Sequence, residues 1–127
     1  MQLTEHRPGQ YHFIRRVGEH ELTVDESVHR SSLILGARLL IDDWPVHHLK
    51  DLDATTVEPL LEHAPELVIL GHGARPGFPA PGVQRLFLER GIGLETMTLA
   101  AACRTFNVLM SENRRAIAGL ILPAAEF

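Results

Sequence analysis

The stretch Leu67–Pro79, LVILGHGARPGFP, constrains the fold more than any other part of the chain. Four apolar residues without polar alternation describe a strand covered on both faces, since a half-buried strand alternates. Such a strand needs helices above and below it, the arrangement of a parallel or mixed sheet in an α/β domain. The three glycines and two prolines that follow end the strand and make a stiff loop rather than a tight turn.

The flanking sequence extends this pattern. YHFIRRVGEHELTVDESV reads as a hairpin turning at Gly18-Glu19, with Tyr11, Phe13, Arg15 and Val17 on one face and Leu22 and Val24 continuing it. SLILGARLLIDDW is a second extended region, in which Gly36 marks a bulge or close approach and Trp44-Pro45 ends the strand. DATTVEPLLEHAP predicts a short helix with a Thr55/Glu58 capping box, an apolar face of Val57, Leu60, Leu61 and Ala64, and Pro59 in the first turn. APGVQRLFLERG predicts a second helix with Val83, Leu86 and Phe87 inward, stopped at Gly91. GLETM is a strand, TLAAACRTFNVLMSENRR the longest helix and AIAGLILP the last strand. The order β-β-β-α-β-α-β-α-β predicts one three-layer α/β domain over residues 1–127, its mixed central sheet flanked by helices and preceded by the N-terminal hairpin.

The glycine loop is the best-placed candidate site, because ligands of open α/β sheets collect beyond the carboxyl ends of strands. It completes no phosphate motif. Gly71 and Gly73 fit the first two glycines of the dinucleotide fingerprint, but Pro76 stands at the third and Gly77 falls one residue late. Glu95 is spaced as a ribose-binding acid would be, while no G-K-[ST] follows for a P-loop. His72 has the chemistry of a general base or ligand, and equally that of a loop histidine bonded to backbone. The eight histidines are scattered and no metal-ligand spacing is present, so no metal and no cofactor are expected.

The longest helix carries two faces. Leu99, Ala102, Cys103, Phe106, Leu109 and Met110 form an apolar stripe, on which a cysteine packs as a small hydrophobe. Opposite, Thr98, Thr105 and Glu112 recur every seven residues beside Arg104, Asn107 and Ser111. Arg104 and Asn107 can address one small polar group, with Glu112 orienting an arginine; the same residues also make an ordinary solvated face. Asn107 is unfavourable in mid-helix, which points to a hydrogen-bonding role. The ligand-binding candidates are therefore Gly71, His72, Gly73, Arg104, Asn107 and Glu112, and no residue is assigned a catalytic role.

Composition excludes several classes. Twelve Lys and Arg against sixteen Asp and Glu, net −4, argue against a nucleic-acid binder. No apolar run approaches the roughly 20 residues of a membrane span. A single cysteine cannot form an internal disulfide, and MQLTEHRPGQ lacks the apolar core of a secretory signal, so a cytoplasmic protein is expected.

The segments LVILGHGARPGFP and LFLERGIGLETMTLAAACRTFNVLMSENRRAIAGLILP resemble a family of small, largely uncharacterised α/β domains from bacteria, archaea and mitochondria. That family includes the mitochondrial complex I (NADH dehydrogenase) assembly factor 3. The resemblance rests on Gly71-x-Gly73, on Gly91-Ile92-Gly93 with Glu95, and on Arg104-Thr105-Phe106-Asn107-x-Leu109-x-x-Glu112-x-Arg114. The family usually has threonine between the loop glycines, where this chain has His72, so the resemblance assigns His72 no role. It commonly has glycine after the helix glutamate, where Asn113 stands here. The resemblance implies a three-layer mixed-sheet fold and a non-enzymatic domain that assists assembly through contacts with a protein partner. The alternatives are a small-molecule, anion or nucleotide pocket between the Gly71–Gly77 loop and the Arg104/Asn107 face, and self-association as a homodimer.

Overall fold

The computed structural model describes residues 10–75 and 77–124. The first nine residues and Pro76, both used in the sequence reading, lie outside the described residues. The chain begins with an antiparallel meander, β1 (Ile14–Val17), β2 (Leu22–Val24) and β3 (Ser27–His29). The first turn falls where Gly18-Glu19 predicted it, the Gly18 N–H donating to the Glu21 carbonyl at 2.8 Å. A second turn follows, with Asp25 at φ 52°, and makes the hairpin three-stranded.

The face shared by Tyr11, Phe13, Arg15 and Val17 is not the buried face of β1. Ile14 is buried, whereas Arg15, Arg16 and Val17 are exposed. The register between β1 and β2 shifts between Ile14 and Arg16, and an extra residue in one strand reverses which side chains face the core. Leu22 and Val24 point inward as the alternation requires.

The larger sheet contains β4 (Leu33–Leu35), β5 (Leu40–Ile41), β6 (Leu67–His72), β7 (Gly93–Met97) and β8 (Ala116–Ile121), in the order β5-β4-β8-β6-β7. β6 is parallel to both its neighbours and β4 runs antiparallel to β8, so the sheet is mixed. The second extended region is a hairpin rather than one strand. Gly36 sits in its turn, donating its N–H to Leu39 O at 2.8 Å, and the second strand ends at Ile41 before Trp44. Trp44 is 2% exposed and donates its indole N–H to the Thr56 carbonyl at 2.8 Å.

Among the described residues, three α-helices cover this sheet: α1 (Ala54–Leu61), α2 (Pro81–Glu89) and α3 (Leu99–Ser111). The α1 cap is Asp53, not Thr55. Its carboxylate accepts the Thr55 and Thr56 N–H groups at 2.9 and 2.8 Å, and its own N–H donates to Thr56 Oγ1 at 2.9 Å. The earlier start moves Pro59 out of the first turn into the helix interior, where it supplies no N–H to the preceding turn. Ala64 falls past the helix end, exposed and at φ 46°, so the buried face of α1 is Val57, Leu60 and Leu61.

The layers form two cores on opposite faces of the sheet. On one, the stripe of α3 and the inward residues of the meander pack on Leu33, Leu35, Ile69, Ala118 and Leu120. On the other, α1, α2, Trp44 and Val46 pack on Ile34, Val68, Leu70, Ile117 and Ile121. β6 contributes alternate residues to both, which is why LVIL shows no polar alternation. Connections leaving the neighbours β6 and β7 pass to opposite faces, α2 to one and α3 to the other. Adjacent strands whose connections part in this way leave a crevice beyond their carboxyl ends.

Candidate functional site

The glycine segment is divided by the end of β6. Gly71 and His72 belong to the strand, and the loop begins at Gly73. Gly71 is buried under α3; a β-carbon there would stand 2.4 Å from the Ala102 β-carbon and 3.5 Å from Leu120. Its missing side chain is what lets the helix lie close on the sheet. His72, next along the strand, faces the opposite side. Its ring lies against Gly77, where a β-carbon would come within 2.9 Å of both Nε2 and Leu49 Cδ1. Nε2 is buried with no hydrogen-bond partner among the described residues, and burial pushes the imidazole pKa down.

Gly73 meets the helix directly. At φ +56° it turns the chain, and its carbonyl accepts the Leu99 N–H at 3.1 Å. Thr98 caps α3, its Oγ1 accepting Ala101 N–H at 3.2 Å. The Leu99 and Ala101 amides are therefore held by the protein, leaving Ala100 in the first turn without an acceptor among the described residues. A groove of about 540 Å³ opens here, lined by Val17 and Glu19 of the first turn, by Gly73 and Ala74, by Thr98 and by Pro123. It occupies the crevice beyond the parallel strand ends, and Glu19 is the charged residue in its wall among the described residues.

The other candidates lie elsewhere. Asn107 faces β1, where Oδ1 accepts the Ile14 N–H at 3.0 Å and Nδ2 donates to the Ile14 carbonyl at 2.9 Å. Arg104 and Glu112 are exposed, Glu112 at the end of α3, and none of the three lines the groove at Gly73. The structure thus joins Gly73 to the N-terminus of α3, and keeps Arg104, Asn107 and Glu112 away from that junction. Arg114 bonds Glu66 through Nε at 2.6 Å and holds its carboxyl below the usual range, tying the entries to β8 and β6. Asn113 takes φ 57° as the helix ends. Cys103 is buried on the apolar stripe, which pushes its thiol up to about 12. Among the described residues no three His, Cys, Asp or Glu side chains gather as a metal site.

A second groove, also about 540 Å³, lies between α2 and the edge strand β7, and the sequence reading missed it. Phe78 and Leu88 border it, 77% and 79% exposed. Leu86, Phe87 and Leu88 run consecutively, so they cannot all share the inward face of one helix; that was the available signal.

Comparison with known proteins places this architecture. A family profile described as a protein of unknown function (DUF498/DUF598) matches residues 14–121. The chain belongs to this family. It is 44% identical over 84 residues to a zebrafish (Danio rerio) protein named NADH dehydrogenase [ubiquinone] 1 alpha subcomplex assembly factor 3, covering 65% of this chain and 48% of that protein. The human protein of the same name is 30% identical over 121 residues, covering 87% of this chain and 66% of the relative. The chain spans about half the length of the first curated relatives it matches. An NMR structure from Xanthomonas campestris superposes with a TM-score of 0.84 at 37% identity, covering 100% of this chain and 96% of that one. A crystal structure from Bordetella parapertussis gives 0.82 at 27% identity over 93% of this chain and 100% of the other.

Proposed function

We propose that this family member is a non-enzymatic domain that assists assembly by binding another protein. The carrying observation is the pair Phe78 and Leu88, large apolar side chains left in water at the rim of a groove beside an open sheet edge. Two such residues beside one groove mark a contact surface rather than the scattered apolar exposure of any protein. The names of the curated relatives support the same reading.

The test is capture of partners from native cells with the tagged chain and with a Phe78→Ser/Leu88→Ser variant. A protein recovered by the parent and lost by the variant, at unchanged melting temperature, supports the reading. Equal recovery by both sinks it.

The groove at Gly73 and Thr98 supports a second reading, small-ligand binding at the strand-end crevice. With Glu19 as its charged wall residue, it suits a neutral or cationic ligand better than a phosphate. A thermal-shift screen including nucleotides, phosphates, carboxylates and small amines tests this; a dose-dependent rise in melting temperature is the expected result.

A further inference from the structure

We infer that the groove between α2 and β7 takes an extended, acid-bearing segment of the partner as an added strand on β7. The inference rests on the protein-binding reading above and names the chemistry of the partner. β7 is an edge of the five-stranded sheet. Gly93 N–H donates to Glu66 O at 3.0 Å, and the Leu99 N–H just past the strand donates to Gly73 O at 3.1 Å. Alternate residues of a strand turn their backbone groups to opposite sides, so Gly93, Glu95 and Met97 address β6. Leu94 and Thr96 then direct their N–H and C=O groups to the open side, and these are unbonded among the described residues.

The side chains of Leu94 and Thr96 also line the groove. Main-chain donors and acceptors therefore sit directly beside an apolar trough bordered by Phe78 and Leu88, the pairing of features that strand addition uses. A helix lying in the trough would leave the edge groups of Leu94 and Thr96 unanswered; a strand satisfies them.

Charge selects among strands. Among the described residues, Arg85 is the charged one in the lining, and it has no ion-pair partner there. An incoming strand that sets apolar residues over Phe78 and Leu88 and a carboxylate over Arg85 complements the groove. A second copy of this chain does not. Antiparallel two-fold pairing through β7 would put both Arg85 side chains on one face of the joined sheet and both Glu95 side chains on the other, like charge against like.

The probe is a capped eight-residue peptide with valine, glutamate and valine at alternate positions and threonine elsewhere, titrated into the 15N-labelled chain. Its counterpart carries lysine for glutamate. The expected result is saturable shifts at the Leu94 and Thr96 amides, at least tenfold tighter binding of the glutamate peptide, and inversion of that preference in Arg85→Glu. Arg85 is exposed, so the variant keeps its fold, which its own spectrum verifies. Absence of shifts at β7, or equal affinity for the two peptides, overturns the inference. If the peptides fail while the Phe78→Ser/Leu88→Ser variant still loses its partner, strand addition falls and the protein-binding groove stands. If that variant also keeps its partner, both fall.

Discussion

Asn107 joins α3 to a strand 93 residues earlier in the chain, answering both backbone groups of Ile14 with one side-chain amide. Ile14 pairs with Val24 on the edge strand β1, and the ladder bond there runs from Asp25 N–H to Phe13 O, so the N–H and C=O of Ile14 face away from β2. Asn107→Ala leaves two partly buried backbone groups unpartnered, and a loss of about 2 kcal/mol is expected from roughly 1 kcal/mol per hydrogen bond. Urea denaturation measures the loss, and amide exchange should quicken in the slowest-exchanging amides of both sheets as well as in β1 and β2. An unaltered midpoint would mean the amide holds nothing that water cannot replace. His72 makes a second residue-scale prediction. Burial lowers its folded pKa below the ordinary 6.5, so above that pH both folded and unfolded chains hold it neutral. As the pH falls below about 6.5, the unfolded chain takes up the proton first, and stability drops until the native ring protonates too. The chain has eight histidines, so the measurement is a difference: the urea midpoint should fall further between pH 7.5 and 5.5 in the parent than in His72→Gln. Equal falls would show that the ring is not desolvated.

Between elements, α3 lies close on β6, and Gly71 is what permits it. Gly71→Ala forces a β-carbon to 2.4 Å from Ala102, a distance the packing must open by moving a helix of thirteen residues. Overpacking of this kind costs about 1–3 kcal/mol. The double variant Gly71→Ala/Ala102→Gly should recover part of the loss despite a glycine in mid-helix, and a strictly additive cycle would place the strain elsewhere. This contact also shows which parts of the fold were legible. The parallel half could be read because each element is marked by one local signal: LVIL by burial on both faces, α3 by its six-residue stripe, and α2 by Gly91, which takes φ +67°. The antiparallel half was harder. Its strands are two to four residues long, and neither the second turn at Asp25 nor the register shift after Ile14 has a period to betray it. The α1 start was misplaced because Thr55 and Asp53 both present capping spacing, and only the hydrogen bonds choose Asp53. For the site, the glycine loop signalled a strand end, and mid-helix placement signalled that Asn107 bonds something. Its partner Ile14 was invisible, since nothing local links residues 93 apart.

At the scale of the molecule, the two cores share one sheet, so α3 cannot leave without exposing strands that also support α1 and α2. Cys103 reports on this coupling. Its thiol is buried on the stripe facing the sheet, and its pKa near 12 leaves almost no thiolate at neutral pH. Alkylation must then await an opening that lifts α3, and two distinct openings are conceivable. If the helix frays alone, labelling proceeds at a rate nearly independent of low denaturant, because little surface is exposed in the reactive state. If both cores open together, labelling of the native chain is slow, and its logarithm rises with urea at the slope of global unfolding. The shared strands β6 and β8 predict the second outcome, with Asn107→Ala accelerating the reaction by the factor its loss of stability dictates. About 2 kcal/mol corresponds to roughly thirtyfold faster labelling in the regime where closing outpaces alkylation. Labelling of Cys103 by iodoacetamide at pH 8, followed by mass spectrometry across a urea series, measures both quantities. A flat urea dependence would divide the fold into a mobile helix and a stable remainder. A steep one would mean that a partner docked on the α2 face feels any event that loosens α3 on the other.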